Sequence, residues 1–420
     1  MVLGIAVFGC ASFDPRPVKT VPFQDRTQSQ TQGKITVTSA ALTEEESEAV
    51  FGVNLGDDGI QPIWLRVENN TPSHYWLIES SLDPEYFSPL EVAYQNHSFF
   101  SDSTNHEMDN HFINAAFRNP AGPHSTTSGF VFVNLSRGRK FVHVDLLTPG
   151  DVKSFMFILP VPDLHADHLQ VEFDTLYSEG KIVDYEDETT FREALEQLPC
   201  CATNEDGTRK GDPLNLVIIG PQGVLAPPFI SRGWYETEVI YEGSIWKTIK
   251  SFLLGSRYRY SPVSPLYLFG RPQDIAVQKA RGTIKKRNHL RLWLSPFRFR
   301  GDRVWIGQIS RDVGVRFTTK TWSFTTHVID PDVDEARNSL ATDLLYTGGL
   351  AKIGWVSGLG VATPDHPQTN LTGDPYFHDG LRTVLLFSDQ YTPMSEILFF
   401  DWENPSLKTA RHLRQIPSLD

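Results

Sequence analysis

The chain is patterned mainly as short β-strands, because brief apolar segments recur along it with Gly, Pro, Asn and Asp between them. Short strands that follow one another without helical periods favour an antiparallel sandwich. We therefore predict a β-sandwich of immunoglobulin-like architecture over residues 34–178. Its candidate strands begin at Ile60, Ser128, Lys140, Val152 and His168.

One turn in this half is marked strongly. Asn69, Asn70, Thr71 and Pro72 stand between two apolar segments. Turn residues of this kind between two apolar runs are the usual signal for a β-hairpin. We therefore expect the strands before and after this turn to pair with each other.

The net charge and the apolar pattern argue against two classes of protein, nucleic-acid-binding proteins and proteins with a complete membrane span. The 420 residues carry 38 Lys and Arg against 51 Asp and Glu, which gives a formal net charge of -13. A nucleic-acid partner is not expected, because neutralising phosphates requires an excess of cations. The sequence has no run of about 18 apolar residues, the length that a complete membrane span requires.

The charge is distributed unevenly along the chain. Residues 1–200 contain 12 basic and 29 acidic residues, whereas residues 201–420 contain 26 basic and 22 acidic residues. Within the second half, eight cations and one acid lie between Arg281 and Arg303. This basic stretch, residues 281–303, predicts a contact with an anionic lipid or polymer. The alternative is a solvated surface that acidic neighbours balance.

The N-terminus suggests an anchor. Residues 1–9 are uncharged and apolar, about as long as the apolar part of a signal peptide, and they lead to Cys10. The run Val7–Cys10 resembles a bacterial lipobox, in which the cysteine thiol receives a lipid. Residues 11–34 are rich in Pro, Gln, Thr and Ser without a regular period, which is typical of a flexible linker.

We therefore predict that residues 1–33 are a lipoprotein-type signal remnant and flexible tether, with lipidated Cys10 on the membrane. The expected location is the cell envelope, in the periplasm or at the outer membrane. A buried N-terminal strand with an ordinary core cysteine is the alternative. The remaining cysteines, Cys200 and Cys201, are adjacent. We expect two reduced or packed thiols there, with a strained vicinal disulfide as the alternative.

The second half has a mixed pattern. Residues 179–212 are acidic and are predicted to be a linker, and residues 213–420 are predicted to form an α+β (or α/β) domain with a mixed sheet. A buried strand is expected at residues 213–220 and helices at residues 244–254 and 330–349. Asp330 is the candidate N-cap of the last helix, with Pro331 at its first position.

Two long segments resemble a known family. They are SPVSPLYLFGRPQDIAVQKARGTIKKRNHLRLWL, from Ser261, and VWIGQISRDVGVRFTTKTWSFTTHVIDPDVDEARNSLATDLLY, from Val304. Both are similar to the LssY-like C-terminal domain of bacterial envelope proteins, over about residues 212–382. In that family the domain often follows membrane helices, whereas here a tether and a β-rich domain precede it. The resemblance therefore implies no lipid-phosphatase activity, and the family implies no established reaction.

Two strands of this domain carry polar stripes. Alternation places His289 and Arg291 on one face of their strand, and Gln308 and Asp312 on one face of the next. If the strands are neighbours, these side chains line one polar site, which His327 and Asp330 would close. The predicted catalytic residues are His289, His327, Asp330 and Asp312, and the predicted anion-binding residues are Arg271 and Arg291.

Such a set would suit general acid/base work on an anionic ester, or would hold a divalent metal. The pattern fixes no cofactor or metal. Each residue also has a structural explanation. Asp330 would cap a helix, Asp312 would pair with Arg316, and His289 would be a satisfied core histidine.

The sequence is consistent with two functions. The favoured one is a noncatalytic envelope lipoprotein that binds a protein, glycan or lipid at the membrane surface. The alternative is an envelope hydrolase that acts on a phosphorylated or ester-linked lipid or polymer, with His289 and His327 as acid and base.

Overall fold

A computed structural model of the chain describes residues 13–97, 101–135, 139–161, 173, 175–236, 265–281, 283–317 and 325–403. Cys10 and the helix expected at residues 244–254 lie outside the described residues. The chain divides into two compact units, residues 1–164 and residues 165–420. No helix among the described residues is both long enough and apolar enough to cross a membrane.

The first unit is built on two antiparallel sheets. Its strands are β1 (Gln28–Gln32), β2 (Ile35–Ala41), β3 (Ile60–Asn69), β4 (Trp76–Ile78), β5 (Ser125–Asn134), β6 (Arg139–Thr148) and β7 (Asp151–Pro160). One sheet has the order β1-β2-β3-β5 and the other the order β4-β6-β7. Both sheets contribute to one apolar core, with Val37, Leu65 and Val133 from the first and Val144, Phe155 and Phe157 from the second.

Helices cover the other face of the four-stranded sheet. They are α1 (Glu44–Phe51), α3 (Pro89–Gln95) and α4 (Asp102–Ala115), with two 3₁₀ helices at Val18–Thr20 and Pro22–Arg26. The short α2 (Glu79–Leu82) packs instead against β6 of the other sheet. A capping box fixes the start of α1, because the Thr43 hydroxyl accepts from the Glu46 amide and the Glu46 carboxylate from the Thr43 amide. Phe51 and Phe112 pack there against Phe130 and Phe132.

The marked turn after Asn69 does not make the predicted hairpin. Strand β3 pairs with β2 and β5, whereas β4 pairs with β6 in the other sheet. The buried Asn69 side chain donates to the carbonyls of Ser73 and Gly122, at 2.7 and 2.8 Å. The turn therefore carries the chain from one sheet to the other.

Part of the predicted tether is ordered. Strand β1 pairs with β2 along its whole length. Its glutamines also reach the neighbouring sheet, because Gln28 donates to the Ile158 carbonyl at 2.8 Å, and Gln30 and Gln32 donate to the Met156 and Ser154 carbonyls. Residues 28–32 thus form a strand whose alternate side chains bind the edge of β7.

The second unit contains a ten-stranded mixed sheet. Its strands are β8 (Val183–Tyr185), β11 (Leu216–Ile219), β12 (Tyr235–Glu236), β15 (Ile275–Arg281), β16 (Thr283–Phe299), β17 (Asp302–Phe317), β18 (Thr325–Ile329), β19 (Leu350–Ser357), β22 (Leu381–Phe387) and β23 (Leu398–Phe399). The main order is β12-β15-β16-β17-β11-β22-β19-β23, with β18 on β17 and β8 on β16. The β11-β22, β8-β16 and β19-β23 pairs are parallel, so the predicted mixed sheet is present.

Shorter strands and three helices are also described in this unit. Strands β9 (Cys201–Thr203), β10 (Lys210–Pro213), β13 (Tyr267–Leu268) and β14 (Arg271–Pro272) form a second sheet, and β20 (Gln368–Thr369) pairs with β21 (Pro375–Tyr376). The helices are α5 (Glu188–Glu196), α6 (Gln222–Ser231) and α7 (Val333–Leu345), with 3₁₀ turns at Glu179–Lys181 and Met394–Glu396.

The predicted acidic linker is folded into the second unit. Residues 179–212 contain β8, α5 and β9 and most of β10. Phe191, Leu195 and Leu198 are buried in the core with Trp293 and Val384. Their spacing places these three apolar side chains on one helical face, so the acidic residues are the solvent side of an amphipathic segment.

Cys200 and Cys201 are joined by a disulfide, contrary to the favoured expectation of two reduced thiols.

The predicted helix at residues 330–349 is α7, but its N-cap is Asp332, whose carboxylate accepts from the Asp334 amide at 3.1 Å. Asp330 instead accepts from the Asp332 amide at 3.1 Å. The observed N-cap therefore lies two residues after the predicted one, and the helix begins at Val333.

Candidate functional site

The two polar stripes adjoin, because β16 and β17 are antiparallel neighbours. The register places His289 opposite Ser310 and Arg291 opposite Gln308. Directly opposed residues of an antiparallel pair lie on the same face of the sheet. The stripes expected from sequence alternation therefore form one polar surface across the two strands.

His289 and Asp312 form the central contact of this surface. The His289 Nε2 and Asp312 Oδ2 atoms lie 2.6 Å apart, and the side chains of both residues are buried, with His289 7% and Asp312 3% exposed. Burial lowers the pKa of His289, although the Asp312 charge opposes that change. The contact with the carboxylate thus holds the imidazole in one orientation.

Two arginines extend the network on the same strand. The Arg287 Nε atom lies 3.7 Å from Asp312 Oδ2, and Arg287 donates to the Gln278 side chain at 3.0 Å. Arg291 is 8% exposed and donates to the Gln308 side chain at 2.7 Å. Burial lowers the pKa of both arginines. Both guanidinium groups are therefore buried and contact polar side chains of the neighbouring strands.

Asp212 brings a further carboxylate to Arg291. Asp212 lies in β10 and is buried. Burial raises the pKa of its carboxyl group, although the Arg291 charge opposes that rise. Tyr376, whose pKa is raised by burial and by Asp212, donates to the Gln368 side chain at 2.9 Å. These contacts connect the polar surface of β16 and β17 with buried residues of β10 and β21.

Sequence reasoning missed several members of this network. Arg287 was attributed to the basic stretch, and Gln278 and Asp212 were not considered. For Arg287 a signal existed, because it stands two residues before His289 and shares its face of the strand. No local pattern marks Asp212, since its partner Arg291 is far away in sequence.

The predicted partner His327 is not opposite this network. Its Cα lies opposite Val315 on β17, whereas His289 lies opposite Ser310. Five residues of extended strand span about 17 Å. The side chain of His327 lies outside the described part of the chain, so the comparison concerns backbone positions. Those positions do not support direct cooperation between the two histidines.

Asp330 and Arg271 make other contacts. The Asp330 amide donates to the Arg311 carbonyl at 2.7 Å, and its carboxylate accepts from the Asp332 amide. The Arg271 guanidinium donates to both oxygens of Asp274 at 2.8 Å, and to the Leu294 carbonyl at 2.6 Å. Both residues thus brace strand ends and loops, and neither contacts His289 directly by any described hydrogen bond or ion pair.

A second buried charged cluster was not predicted. Arg337 of α7 donates two parallel hydrogen bonds of 2.9 Å to Asp379 and lies 3.1 Å from Asp334. Burial raises the pKa of Asp334 to about 7. For Asp379, burial opposes ionisation but the hydrogen bonds from Arg337 dominate and lower its pKa. The cluster ties α7 to the start of β22.

Arg382 makes an unusual set of contacts. It donates to the carbonyls of Leu195, Leu198, Pro199 and Leu214, at 2.9, 3.0, 2.7 and 3.0 Å. Burial lowers its pKa to about 10. This guanidinium therefore holds the segment after α5 against the large sheet, as a structural group inside the fold.

Metal binding has no preformed site in the described part of the chain. No group of three or more His, Cys, Asp or Glu side chains is arranged there to hold an ion.

The basic stretch, residues 281–303, is divided between buried and exposed side chains, because Arg287 and Arg291 are buried whereas Arg298 and Arg300 are exposed. Of its described cations, only those near the β16-β17 turn face solvent.

Comparison with known proteins finds a family match over the part of the chain that holds these features. Residues 192–381 match the family model described as LssY C-terminus. The match includes His289, Asp312, Arg291 and Arg337, together with the disulfide. No curated protein matches the chain.

Proposed function

Because its second unit carries the LssY C-terminal domain, we propose that the chain is a noncatalytic lipoprotein of the bacterial cell envelope. In this proposal lipidated Cys10 anchors the protein to the membrane, and the second unit binds a partner at the membrane surface. The first unit then acts as a β-sandwich spacer of immunoglobulin-like architecture. The core shared by its two sheets supports that architecture.

The burial of three candidate site residues carries this proposal. His289, Asp312 and Arg291 are each less than a tenth exposed, and they contact one another or neighbouring side chains. A general acid or base must reach a substrate through a hydrogen bond or one water molecule. The observed pairing instead suits a polar core that fixes the register of β16 and β17.

The disulfide supports a location outside the cytosol. Cys200 and Cys201 are bonded to each other, and disulfides persist mainly in oxidising compartments such as the periplasm. The same location agrees with a lipid-anchored chain. Globomycin, which blocks processing of lipoprotein precursors, should cause an unprocessed form to accumulate in a bacterial host, and Cys10→Ser should remove the mature lipidated form.

An anionic lipid or polymer is the partner that the exposed basic residues favour. Arg298 lies opposite Arg303 across the β16-β17 hairpin, and Arg300 stands at its turn. The exposed Arg300 also lies 3.6 Å from Glu188. Exposed arginines at a hairpin tip can contact phosphate groups bidentately. The proposed contact is therefore confined to this tip.

The function is tested by two assays on the purified full chain. The first screens phosphoesterase and esterase activity with metal analysis, for the wild type and His289→Ala. The second measures sedimentation with vesicles of phosphatidylglycerol and phosphatidylcholine, using Cys10→Ser to remove the lipid. We expect no hydrolysis, and salt-sensitive vesicle binding that Arg298→Gln with Arg300→Gln weakens. The exposed Arg209→Gln is the matched control.

A hydrolase is the second candidate, because the His289 and Asp312 contact has the geometry of an oriented base. Ser310 lies opposite His289 on the neighbouring strand. Hydrolysis that His289→Ala and Ser310→Ala both abolish in folded protein would favour this alternative and would refute the noncatalytic proposal.

A further inference from the structure

A cleft beside the disulfide is lined by residues that are not part of the polar network. It has a volume of about 330 Å³ and is lined by the turn between β9 and β10 and by the turn between β13 and β14. This volume is at the lower end of the range of about 300 to 1,000 Å³ for small-molecule sites. Its lining includes Cys201, the aromatic residues Tyr267 and Phe269, and the acidic residues Glu205 and Asp206.

Phe269 stands in the cleft at a conformational cost. The β13-β14 hairpin has a two-residue turn, Phe269 and Gly270, whose φ angles are +55° and +75°. Such turns favour Asn-Gly, because a bulky side chain is strained at positive φ. The Phe269 side chain is nevertheless 37% exposed, so core packing does not account for the ring. Strain of this kind is often retained where a side chain serves a ligand.

The charges around the cleft favour a neutral ligand. Glu205 and Asp206 line it, and hydrogen bonds from Thr208 lower the pKa of Asp206, which keeps this carboxylate ionised. An anion would meet these two carboxylates. The Arg209 charge acts on Asp206 and offsets part of this negative charge, which reduces what an organic cation would gain.

We propose that this cleft binds a neutral carbohydrate. The Tyr267 and Phe269 rings offer apolar faces to the C–H groups of a sugar ring. The two carboxylates accept hydrogen bonds from its hydroxyl groups, and charge makes such bonds stronger than neutral ones. The site lies within the second unit and does not depend on whether that unit hydrolyses a substrate.

The test uses the full chain with cellobiose and chitobiose as probes, followed by saturation-transfer NMR. At least one disaccharide should give a saturable signal from its ring protons. Phe269→Gly should weaken that binding by about tenfold or more, and its melting temperature should equal or exceed that of the wild type, because glycine relieves the positive φ. Glu205→Gln with Asp206→Asn should also weaken binding.

The exposed Tyr391→Ala provides an aromatic control away from the cleft. It should leave sugar binding unchanged. Binding of neither disaccharide, or equal binding by Phe269→Gly, would overturn the proposal. Tetramethylammonium and inorganic phosphate are included as charged probes, and saturable binding of one of them without sugar binding would also overturn it.

Discussion

His289 and Asp312, on neighbouring strands, are joined by a hydrogen bond of 2.6 Å between Nε2 and Oδ2 inside the second unit. Asp312 also lies 3.7 Å from the Arg287 guanidinium. One buried carboxylate thus serves a histidine and an arginine at once. Its removal would take a negative charge from beside a buried cation, which is costlier than losing the whole group of charges.

We therefore expect Asp312→Asn to lower the free energy of unfolding by about 3 kcal/mol or more. Urea denaturation followed by tryptophan fluorescence would measure the change, because Trp293 and Trp305 are buried in the same unit. The exposed Asp365→Asn is the matched control and should change stability by less than about 0.5 kcal/mol. Equal stabilities of the two variants would show that the Asp312 charge is not required by the fold.

Arg382 should be intolerant of replacement even by lysine. Its planar guanidinium donates to six main-chain carbonyls, four of them at 3.0 Å or less, and lysine cannot reproduce that geometry. We expect Arg382→Lys to lower the free energy of unfolding by about 2 kcal/mol or more, because buried carbonyls lose their donors. Hydrogen exchange should rise in α5 and residues 197–203. An unchanged exchange rate there would contradict the role given to Arg382.

Gly358 supplies an independent check on Arg382. Its φ is +130°, and a Cβ at this position would overlap the Arg382 Nη1 atom and approach the Glu196 carbonyl. Gly358→Ala should therefore destabilise the same segment that Arg382→Lys destabilises. Gly360→Ala is the matched control for positive φ, since a Cβ there meets no atom within 4 Å. If both alanine variants are equally destabilised, backbone strain is the cause and the predicted contact with Arg382 is not.

The acid stability of the second unit should depend on His378. Burial lowers the pKa of its imidazole to about 4 from an ordinary value of 6.5, and its Nδ1 atom accepts from the Gly380 amide at 3.1 Å. The folded state therefore binds fewer protons than the unfolded state between these values. The contribution is present above pH 6.5 and is lost as the pH falls toward 4.

Over that interval the loss should approach about 3 kcal/mol. His378→Gln keeps a hydrogen-bond acceptor but cannot titrate, so its stability should fall less between pH 7 and pH 4. Urea denaturation at several pH values compares it with the wild type. The exposed His366→Gln is the control and should follow the wild type. Parallel curves for His378→Gln and the wild type would exclude this histidine as the cause.

Alternation of polar and apolar residues correctly predicted two strands of the second unit. The segments around His289 and Gln308 were predicted to be strands with polar stripes, and β16 and β17 do lie side by side. Alternation fixes which side chains share a face, whichever neighbour the strand acquires. It cannot supply the distant partners, and Asp212 and Asp379 reach their arginines only through the tertiary fold.

Local signals also pointed in the wrong direction in two places. The turn residues after Asn69 predicted a hairpin, but a turn signal marks a change of direction and does not choose the next sheet. The acidic residues before Phe191 concealed an apolar helical face that is buried. In both cases the pairing is decided by burial of residues that lie far apart in sequence.

The glutamines of β1 provide the last prediction, for a segment whose composition suggested a tether. Gln28, Gln30 and Gln32 alternate on the strand and donate to three successive edge carbonyls of β7. A polar strand buries little apolar area, so we expect these side-chain hydrogen bonds, of about 0.5 to 1.5 kcal/mol each, to add substantially to its main-chain pairing with β2. Replacing all three by alanine should lower the stability of the first unit by about 2 kcal/mol.

Hydrogen exchange would locate this effect. Amides of β1 and β2 should exchange faster in the triple variant, because the edge of the first sheet loses its attachment to β7. The exposed Ser29→Ala with Thr31→Ala removes hydroxyls that pair within the same sheet, with Thr38 and Thr36. This control should leave the β7 carbonyls satisfied and change exchange little. Equal effects of the two sets would mean that β1 is held by its pairing with β2, and that its glutamines add nothing.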